Sequence, residues 1–222
     1  MLKMTSALAA LGLTVAATLP TAAGAAATDQ QNHVDKARMT VDDLRKDPEF
    51  GNARDLLHKA RAVLIVPGLV KGGFFVGGEG GDGVLLTRTA TGWSDPAFYT
   101  IASASFGLQI GLEQSEMVLF IMNEKALHAF MQDEFKIGAQ AGIAVVTLGS
   151  GVGASTTSAL GADIVAWASS SGAYAGITLE GSVIKSRPEW DRDYYGRNLT
   201  TRQILYGTHV APGTVALRES IG

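Results

Sequence analysis

The sequence predicts an α+β fold, in which N-terminal amphipathic helices and one central helix pack on a curved, glycine-rich antiparallel β-sheet that could be barrel-like. Three observations predict it. Residues 62–122 are a succession of short apolar runs separated by glycine clusters, a pattern typical of strands. Residues 98–110 alternate between two faces, as a strand with one face in a core does. Residues 33–60 show the wider apolar spacing of helices.

The N-terminal flank predicts two helices. In residues 33–46 the apolar side chains recur every three or four positions, which places them on one face. Asp47 and Pro48 then form a helix start, with the aspartate as N-cap and the proline at the first helical position, and this second helix should run to about residue 60. The side chains expected to pack on the sheet are Val34, Ala37, Val41 and Leu44 in the first helix and Phe50, Ala53, Leu56, Leu57 and Ala60 in the second.

The central region predicts most of the sheet. Pro67 and Gly68 should end its first strand in a turn. The glycine run at 78–83 should join the second and third strands as a tight hairpin connection. The predicted strands are residues 62–66, 72–77, 84–89, 98–110 and 118–122.

The chain after the central strands predicts one more long helix and further strands. Asn123 should cap a helix that carries an apolar stripe through Phe135 and closes at Gly138. A short helix is expected at 200–206, and the last ten residues are expected to be loose. The remaining predicted strands are residues 143–148, 163–169 and 173–179, with a loop at 149–158.

The N-terminus predicts export. Residues 1–27 carry Lys3, an apolar stretch, and small residues that suit cleavage after Ala25 or Ala27, which is typical of a secretory signal peptide. The mature chain is therefore expected in the periplasm or elsewhere in a cell envelope. The sequence contains no cysteine, which excludes disulfides, thiolate metal sites and a lipoprotein attachment cysteine. The predicted segments are 1–27 (signal peptide), 28–49 (helical extension), 50–206 (main domain) and 207–222 (C-terminal tail).

Charge and motifs argue against several classes of function. The net charge is −3, whereas a nucleic-acid-binding chain of this size is usually basic, so nucleic acid is not an expected partner. Gly78, Gly80 and Gly83 match the spacing of the dinucleotide fingerprint, but a strand pattern follows where that fingerprint needs a helix. Ser182 and Lys185 have the S-x-x-K spacing of acylating serine enzymes without the companion motifs. No enzyme, cofactor or metal site is predicted.

Cations concentrate in the N-terminal flank, on the predicted helices and the first part of the sheet. Amphipathic helices with such cations can lie in a lipid headgroup layer, where the cations meet phosphate while apolar helix faces supply further contact. The alternative is a solvated face with ion pairs four residues apart, because acidic residues are interleaved. The lipid-binding candidates are Lys36, Arg38, Arg45, Lys46, Arg54, Lys59, Arg61 and Lys71.

Several sequence blocks, in order, resemble the SYLF-domain family. The resemblance extends over about residues 50–206, and the blocks are residues 62–67, 72–86, 93–99, 105–111 and 176–181. It implies a phospholipid-binding module. Eukaryotic members of that family bind phosphoinositides and some bind actin, whereas bacterial members are often exported. The matching blocks are mainly glycine and apolar, so they look structural and identify no lipid-contact residue.

The predicted function is non-enzymatic binding of anionic phospholipid or a membrane surface by an exported bacterial member of this family. Actin is not an expected partner in a bacterial envelope, and the sequence leaves open which protein, if any, is a partner. The alternative is an exported structural or protein-interaction module with no lipid ligand, which would dock a partner protein.

Overall fold

A computed structural model of the protein describes residues 22–47, 53–73, 76–106, 111–138, 145–149, 161–170, 179, 181–207 and 211–222. Most of the predicted signal peptide, the first residues of the second predicted helix, the predicted loop after residue 149 and nearly all of the predicted strand at 173–179 lie outside the described residues.

Helices precede and follow the central strands in the sequence. The predicted helices at 33–46 and 200–206 are confirmed, although the first begins earlier, and the second N-terminal helix is confirmed over its described part. The helices are α1 (Ala22–Lys46), α2 (Ala53–Lys59), α3 (Glu124–Phe130), α4 (Pro188–Tyr195), α5 (Thr201–Tyr206) and α6 (Val215–Ile221), with a 3₁₀ turn at Pro212–Thr214.

The strands form one curled sheet, an open half-barrel. Its order is β6-β9-β4-β2-β1-β5-β8-β7, with β3 attached to β2. Each described pair is antiparallel except β7 and β8, which run parallel. The predicted α+β class with a curved sheet is therefore confirmed. The strands are β1 (Ala62–Gly73), β2 (Val76–Thr89), β3 (Gly92–Trp93), β4 (Ala97–Phe106), β5 (Gly111–Ile121), β6 (Glu134–Lys136), β7 (Val145–Gly149), β8 (Ile164–Ser170) and β9 (Val183–Ser186).

Helices cover both faces of this sheet. Val63 and Ile65 of β1 lie on the first face, under α1, α2, α4 and α6, whereas their neighbour Leu64 lies on the second, under α3 and α5. Successive side chains of a strand alternate between faces, so a strand covered on both sides must be apolar throughout. The α1 side chains buried on the first face are the predicted Val34, Ala37, Val41 and Leu44.

The structure corrects the predicted turn and hairpin in the glycine-rich region. Pro67 and Gly68 do not end a strand, because β1 continues through them to Gly73 with a shift of register between Val66 and Leu69. This irregularity is a β-bulge, which bends a strand without ending it. The glycine run 78–83 likewise lies inside β2 instead of connecting two strands. Glycine and proline mark a bulge as readily as a turn, so the sequence pattern alone does not separate the two.

The central helix starts as predicted and ends early. Asn123 caps it by accepting a 3.0 Å hydrogen bond from the backbone N–H of Ala126. The helix ends at Phe130, and Phe135 belongs to β6, where it packs against Phe130 with 4.8 Å between ring centroids. The helical spacing of the apolar residues therefore predicted the wrong element beyond residue 130. Phe130 and Phe135 are buried in the same core, but one lies in a helix and the other in a strand.

The expectation of loose C-terminal residues is wrong. Leu217 and Ile221 of α6 are buried on the first face of the sheet. Buried Asp95 accepts hydrogen bonds from the backbone N–H of Ala211 and the hydroxyl of Thr214, both at 2.8 Å. The end of the chain is therefore part of the core. Within the described residues, no helix is long and apolar enough to cross a membrane.

Candidate functional site

Six of the eight cations predicted to bind lipid lie on the helices that cover the first face of the sheet, and the other two lie before or within β1. Lys36, Arg38, Arg45 and Lys46 belong to α1, Arg54 and Lys59 to α2, Arg61 precedes β1, and Lys71 lies in β1. Their described side chains are exposed, apart from the half-buried Arg38, and the Lys71 side chain lies outside the described part.

About half of these cations have partners among the described residues. Arg38 pairs with Asp42 at 2.7 Å and Lys46 with Asp43 at 3.3 Å along α1. Arg61 lies 3.6 Å from Glu124. Exposed pairs of this kind contribute at most about 1 kcal/mol each, so a membrane could compete for them. In addition, Arg45 donates a 2.9 Å hydrogen bond to the backbone carbonyl of Gly222.

Lys36, Arg54 and Lys59 are exposed and form no ion pair with any described residue. Arg54 and Lys59 lie on α2, which buries Leu56 and Leu57 against the sheet. The burial of these leucines turns the charged side of α2 outward.

Arg88 of β2 holds the end of α2, a contact that the sequence did not predict. Its guanidinium donates hydrogen bonds to the backbone carbonyls of Leu57 and Ala60, the latter at 3.2 Å. The same group stacks 4.5 Å from the ring centroid of Trp93. A cation at the C-terminus of a helix satisfies carbonyls that have no partner within the helix. Arg88 thereby fixes the short helix that presents Arg54 and Lys59.

A cleft of about 590 Å³ opens where α1 passes the bulge in β1, and we call it the bulge cleft. Gly68, Gly80 and Gly81 form part of its wall. The bulge cleft is lined by His33, Lys36, Pro67, Gly68, Val70, Gly80, Gly81, Asp82, Thr100, Ile101, Ala102 and Gln114.

His33 is the most unusual polar group of the bulge cleft. Its Nε2 atom is buried and has no hydrogen-bond partner among the described residues. The ring packs edge-on against Trp190, with centroids 5.7 Å apart. Burial lowers the pKa of the imidazole, although Asp82 acts in the opposite direction. His33 therefore favours the neutral form, and a hydrogen bond with the backbone of Asp82 opposes this lowering of the pKa.

The carboxylate of the bulge cleft is already paired. Asp82 accepts a 2.9 Å hydrogen bond from Arg187, which also pairs with Glu189 at 2.9 Å. The Arg187 guanidinium lies 3.9 Å from the ring centroid of Trp190. The backbone N–H of Arg187 donates a hydrogen bond to the carbonyl of Phe98. Arg187 is consequently held in place from several directions, and it offsets the negative charge of Asp82.

The sequence did not predict the bulge cleft. Asp82 falls in the glycine run that the sequence predicts as a hairpin connection, and neither His33 nor Arg187 belongs to a sequence motif. Asp82 and Arg187 lie 105 positions apart in the chain. Only the docking of α4 beside β4 and of α1 across β1 brings these residues together.

The motifs that resemble enzyme sites are structural here. The glycine run 78–83 lies within β2 and no helix follows it. Ser182 is buried, whereas Lys185 is exposed and pairs with Glu134 at 2.8 Å. Within the described residues, no group of three histidine, aspartate or glutamate side chains is arranged to hold a metal ion.

A curled sheet between two helical layers, with an outward-facing set of cations, fits a non-enzymatic binding module. Comparison with known proteins agrees: a family model described as "Ysc84: Las17-binding protein actin regulator" matches residues 102–221. The chain belongs to this family, the SYLF-domain family, as the sequence blocks indicated.

Relatives of the chain are found in yeast and in vertebrates. LAS seventeen-binding protein 3 of Saccharomyces cerevisiae is 31% identical over 165 residues, which cover 72% of this chain and 36% of the relative. SH3 domain-containing YSC84-like protein 1 of Xenopus laevis is 34% identical over 160 residues, 71% of this chain and 48% of the relative. The human protein of the same name is 30% identical over 159 residues, 71% of this chain and 46% of the relative. The chain spans between a third and a half of the length of these relatives.

Proposed function

We propose that this protein binds the anionic phospholipid surface of a bacterial cell envelope, after export, without catalysing a reaction. The observation that carries the proposal is the set of exposed cations, Lys36, Arg54 and Lys59, that have no ion pair among the described residues. Each lysine or arginine near an anionic membrane surface contributes about 1 kcal/mol. The membership in the SYLF-domain family supports the same proposal.

The binding surface is the outer side of α1 and α2. The sequence suggested that apolar helix faces supply part of the contact, but those faces are buried against the sheet. Apolar contact must then come from exposed side chains such as Met39, which is 55% exposed on α1. The attraction is therefore mainly electrostatic.

Vesicle flotation tests this surface. The chain should float with vesicles of phosphatidylglycerol and phosphatidylcholine and stay behind with phosphatidylcholine alone. The double variant Arg54→Ala/Lys59→Ala should weaken the affinity about 30-fold, because two contributions of about 1 kcal/mol are lost. Its matched control is Lys136→Ala/Arg202→Ala, which removes two exposed cations from β6 and α5.

The control variant should bind vesicles as the unmodified chain does. If both variants lose the same affinity, the attraction is a general effect of net charge and the proposed surface is wrong. If the unmodified chain fails to float with either lipid composition at low salt, the membrane function itself is rejected.

The intact mass of the purified protein tests whether the chain is exported and its signal peptide removed. In a bacterial host the purified protein should lack residues 1–25 or 1–27, and its intact mass shows this directly. A full-length protein retained in the cytoplasm would contradict the proposed location.

A protein-interaction module without lipid ligand is the second candidate. The matched family and the yeast relative are both described as Las17-binding, and the family match covers residues 102–221, which contain none of the candidate cations. Failure to float, together with stable co-purification of one defined protein, would favour this candidate.

A further inference from the structure

We propose that α4 is a pH-sensitive clasp, which holds the N-terminal part of α1 on the sheet and opens when Asp191 ionises. The clasp is residues 187–195, and the part of α1 that it holds is residues 30–37. The inference goes beyond the proposed function, because it concerns how α1 is held and not what the protein binds. The clasp is tested without lipid, so its failure and that of the proposed function are distinguishable.

The clasp contacts α1 through two aromatic side chains. The hydroxyl of Tyr194 donates a 2.9 Å hydrogen bond to the side-chain oxygen of Gln31. The ring of Trp190 packs edge-on against the ring of His33, with 5.7 Å between the centroids. Both contacts come from α4, so a displacement of α4 removes them together and leaves this part of α1 less firmly held.

The clasp is anchored to β4 around Phe98. Oδ1 of Asp191 accepts a 2.9 Å hydrogen bond from the backbone N–H of Phe98, and the backbone N–H of Arg187 donates one of 2.8 Å to the Phe98 carbonyl. The rings of Trp190 and Tyr194 pack edge-on against the Phe98 ring, with centroid distances of 5.7 Å and 5.3 Å. Asp191 therefore lies at the centre of the anchor.

The Asp191 carboxyl occupies a site that suits its neutral form. It is 1% exposed, and its Oδ2 atom has no hydrogen-bond partner among the described residues. It forms no ion pair with a described residue, because Arg187, one turn earlier, is bound to Asp82 and Glu189 instead. A buried carboxylate without a cation is costly, so ionisation weakens the anchor. Burial raises the pKa of Asp191 to about 7, which places this change near neutral pH.

The other ionisable groups around Asp191 leave this effect in place. Glu189, on the same helix, raises the pKa of Asp191 further. Burial raises the pKa values of Tyr99 in β4 and Tyr195 in α4 above their usual range, so both hydroxyls stay neutral. On α1, burial lowers the pKa of His33, so protonation of His33 favours opening at acid pH. A comparison with Asp191→Asn at each pH separates the two effects, because His33 is present in both chains.

Hydrogen exchange of the full chain tests whether the clasp opens by itself. The exchange is read by mass spectrometry and corrected for its intrinsic dependence on pH. At pH 7, residues 30–37 and 187–195 should be protected at least about 100-fold less than β1 and β5, because a local opening requires less free energy than global unfolding. Equal protection of the clasp and these strands would mean that α4 leaves only when the whole chain unfolds, and would overturn the proposal.

Asp191→Asn tests the dependence on pH. The protection of residues 187–195 in this variant, divided by that in the unmodified chain, should rise by up to about tenfold per pH unit between pH 5 and 7. Asp193→Asn is the matched control on the same helix, where Asp193 pairs with Arg192 at 2.8 Å, and its ratio should stay constant. A ratio for Asp191→Asn that does not change with pH would overturn the proposal.

Tyr194→Phe tests whether α4 holds α1. The loss of the hydrogen bond to Gln31 should lower the protection of residues 30–37 about fivefold at every pH, with the pH dependence unchanged. Tyr206→Phe is the matched control, because it removes the hydroxyl from an exposed ring of α5, and it should change this protection less than about twofold. Equal protection of residues 30–37 in Tyr194→Phe and the unmodified chain would show that α4 does not hold α1, and would overturn the proposal.

Discussion

Gly81 and Gly83 lie where β2 passes closest to the bulge of β1. A Cβ atom at Gly81 would meet the carbonyl oxygen of Gly68 at 2.5 Å, and one at Gly83 would meet that of Ile65 at 2.7 Å. Both obstacles are backbone atoms, which cannot rotate away as a flexible side chain can. At these two positions the glycine is required by the close approach of two strands.

Replacing these glycines by alanine should therefore destabilise the fold. We expect Gly81→Ala and Gly83→Ala each to lower the free energy of unfolding by about 1–3 kcal/mol in urea titrations, as overpacking does. Gly78→Ala is the control in the same strand, since its Cβ would lie 3.8 Å from the nearest atom. Equal losses in all three variants would show that the bulge contact is not the cause.

Asp191 of α4 is a buried carboxyl that lies beside the start of β4. Its Oδ1 accepts a 2.9 Å hydrogen bond from the backbone N–H of Phe98, whereas Oδ2 is buried without a partner among the described residues. Burial raises its pKa from 3.8 to about 7, against the opposing effect of the Phe98 hydrogen bond. The folded state therefore binds this proton more tightly than the unfolded state does.

Stability should consequently fall with rising pH in one window. The contribution of Asp191 is complete below about pH 4 and is lost as the pH rises to about 7. The free energy of unfolding of Asp191→Asn, relative to the unmodified chain, should rise through that window by up to about 1.4 kcal/mol per pH unit. Asp193→Asn, on the same helix, is the control. A difference between Asp191→Asn and the unmodified chain that is constant from pH 4 to 8 would contradict this assignment.

At the scale of elements, α6 shows how a polar residue in the middle of the chain orders its end. Asp95 is 2% exposed and binds the segment before α6 through Ala211 and Thr214. Arg218 of α6 donates a 2.7 Å hydrogen bond back to the carbonyl of Trp93. Trp93 and Asp95 belong to one of the sequence blocks that resemble the SYLF-domain family. In this structure these two residues hold the C-terminal helix in place through hydrogen bonds.

A pair of substitutions in α6 tests whether it is structural. Leu217→Ala should lower the free energy of unfolding by about 2–4 kcal/mol, because Leu217 is 1% exposed in the core. Val215→Ala, at a position on the same helix that is 44% exposed, should change it by less than about 0.5 kcal/mol. Similar small effects in urea unfolding would restore the view of a loose C-terminus.

At the scale of the whole molecule, six of the eight candidate cations lie on one helical layer, that of α1 and α2. Helices cover both faces of the sheet, with α1 and α2 on one face and α3 and α5 on the other. The cations exposed on α1 and α2 therefore lie on the opposite side of the sheet from α3 and α5. An electrostatic contact with a membrane is screened by salt, with a Debye length of about 10 Å at 0.1 M and about 3 Å at 1 M.

Binding to anionic vesicles should accordingly disappear as sodium chloride is raised from 0.05 to 1 M, values chosen to span this range. Flotation at each salt concentration measures this loss of binding. An unchanged circular dichroism spectrum shows that salt has not altered the fold. Flotation that persists at 1 M salt would point to apolar insertion instead of headgroup attraction.

Much of the secondary structure could be predicted because its signals are local. The apolar spacing of α1, the cap at Asn123 and the apolar strand at β5 each depend on residues a few positions apart. The predictions failed where two outcomes share one local pattern. Pro67 and Gly68 suit a bulge as well as a turn, and Phe135 fits a helical stripe although it belongs to a strand.

The sequence by itself determined the α+β class, most element types, the family and the set of candidate cations, because periodicity, capping and ordered sequence blocks are properties of the chain. The tertiary structure decided which cations stay unpaired, where β1 bends, how α6 joins the core, and which side chains line the bulge cleft. The physical reason is distance along the chain. Asp82 meets Arg187, and Asp95 meets Thr214, only after the strands and helices have packed.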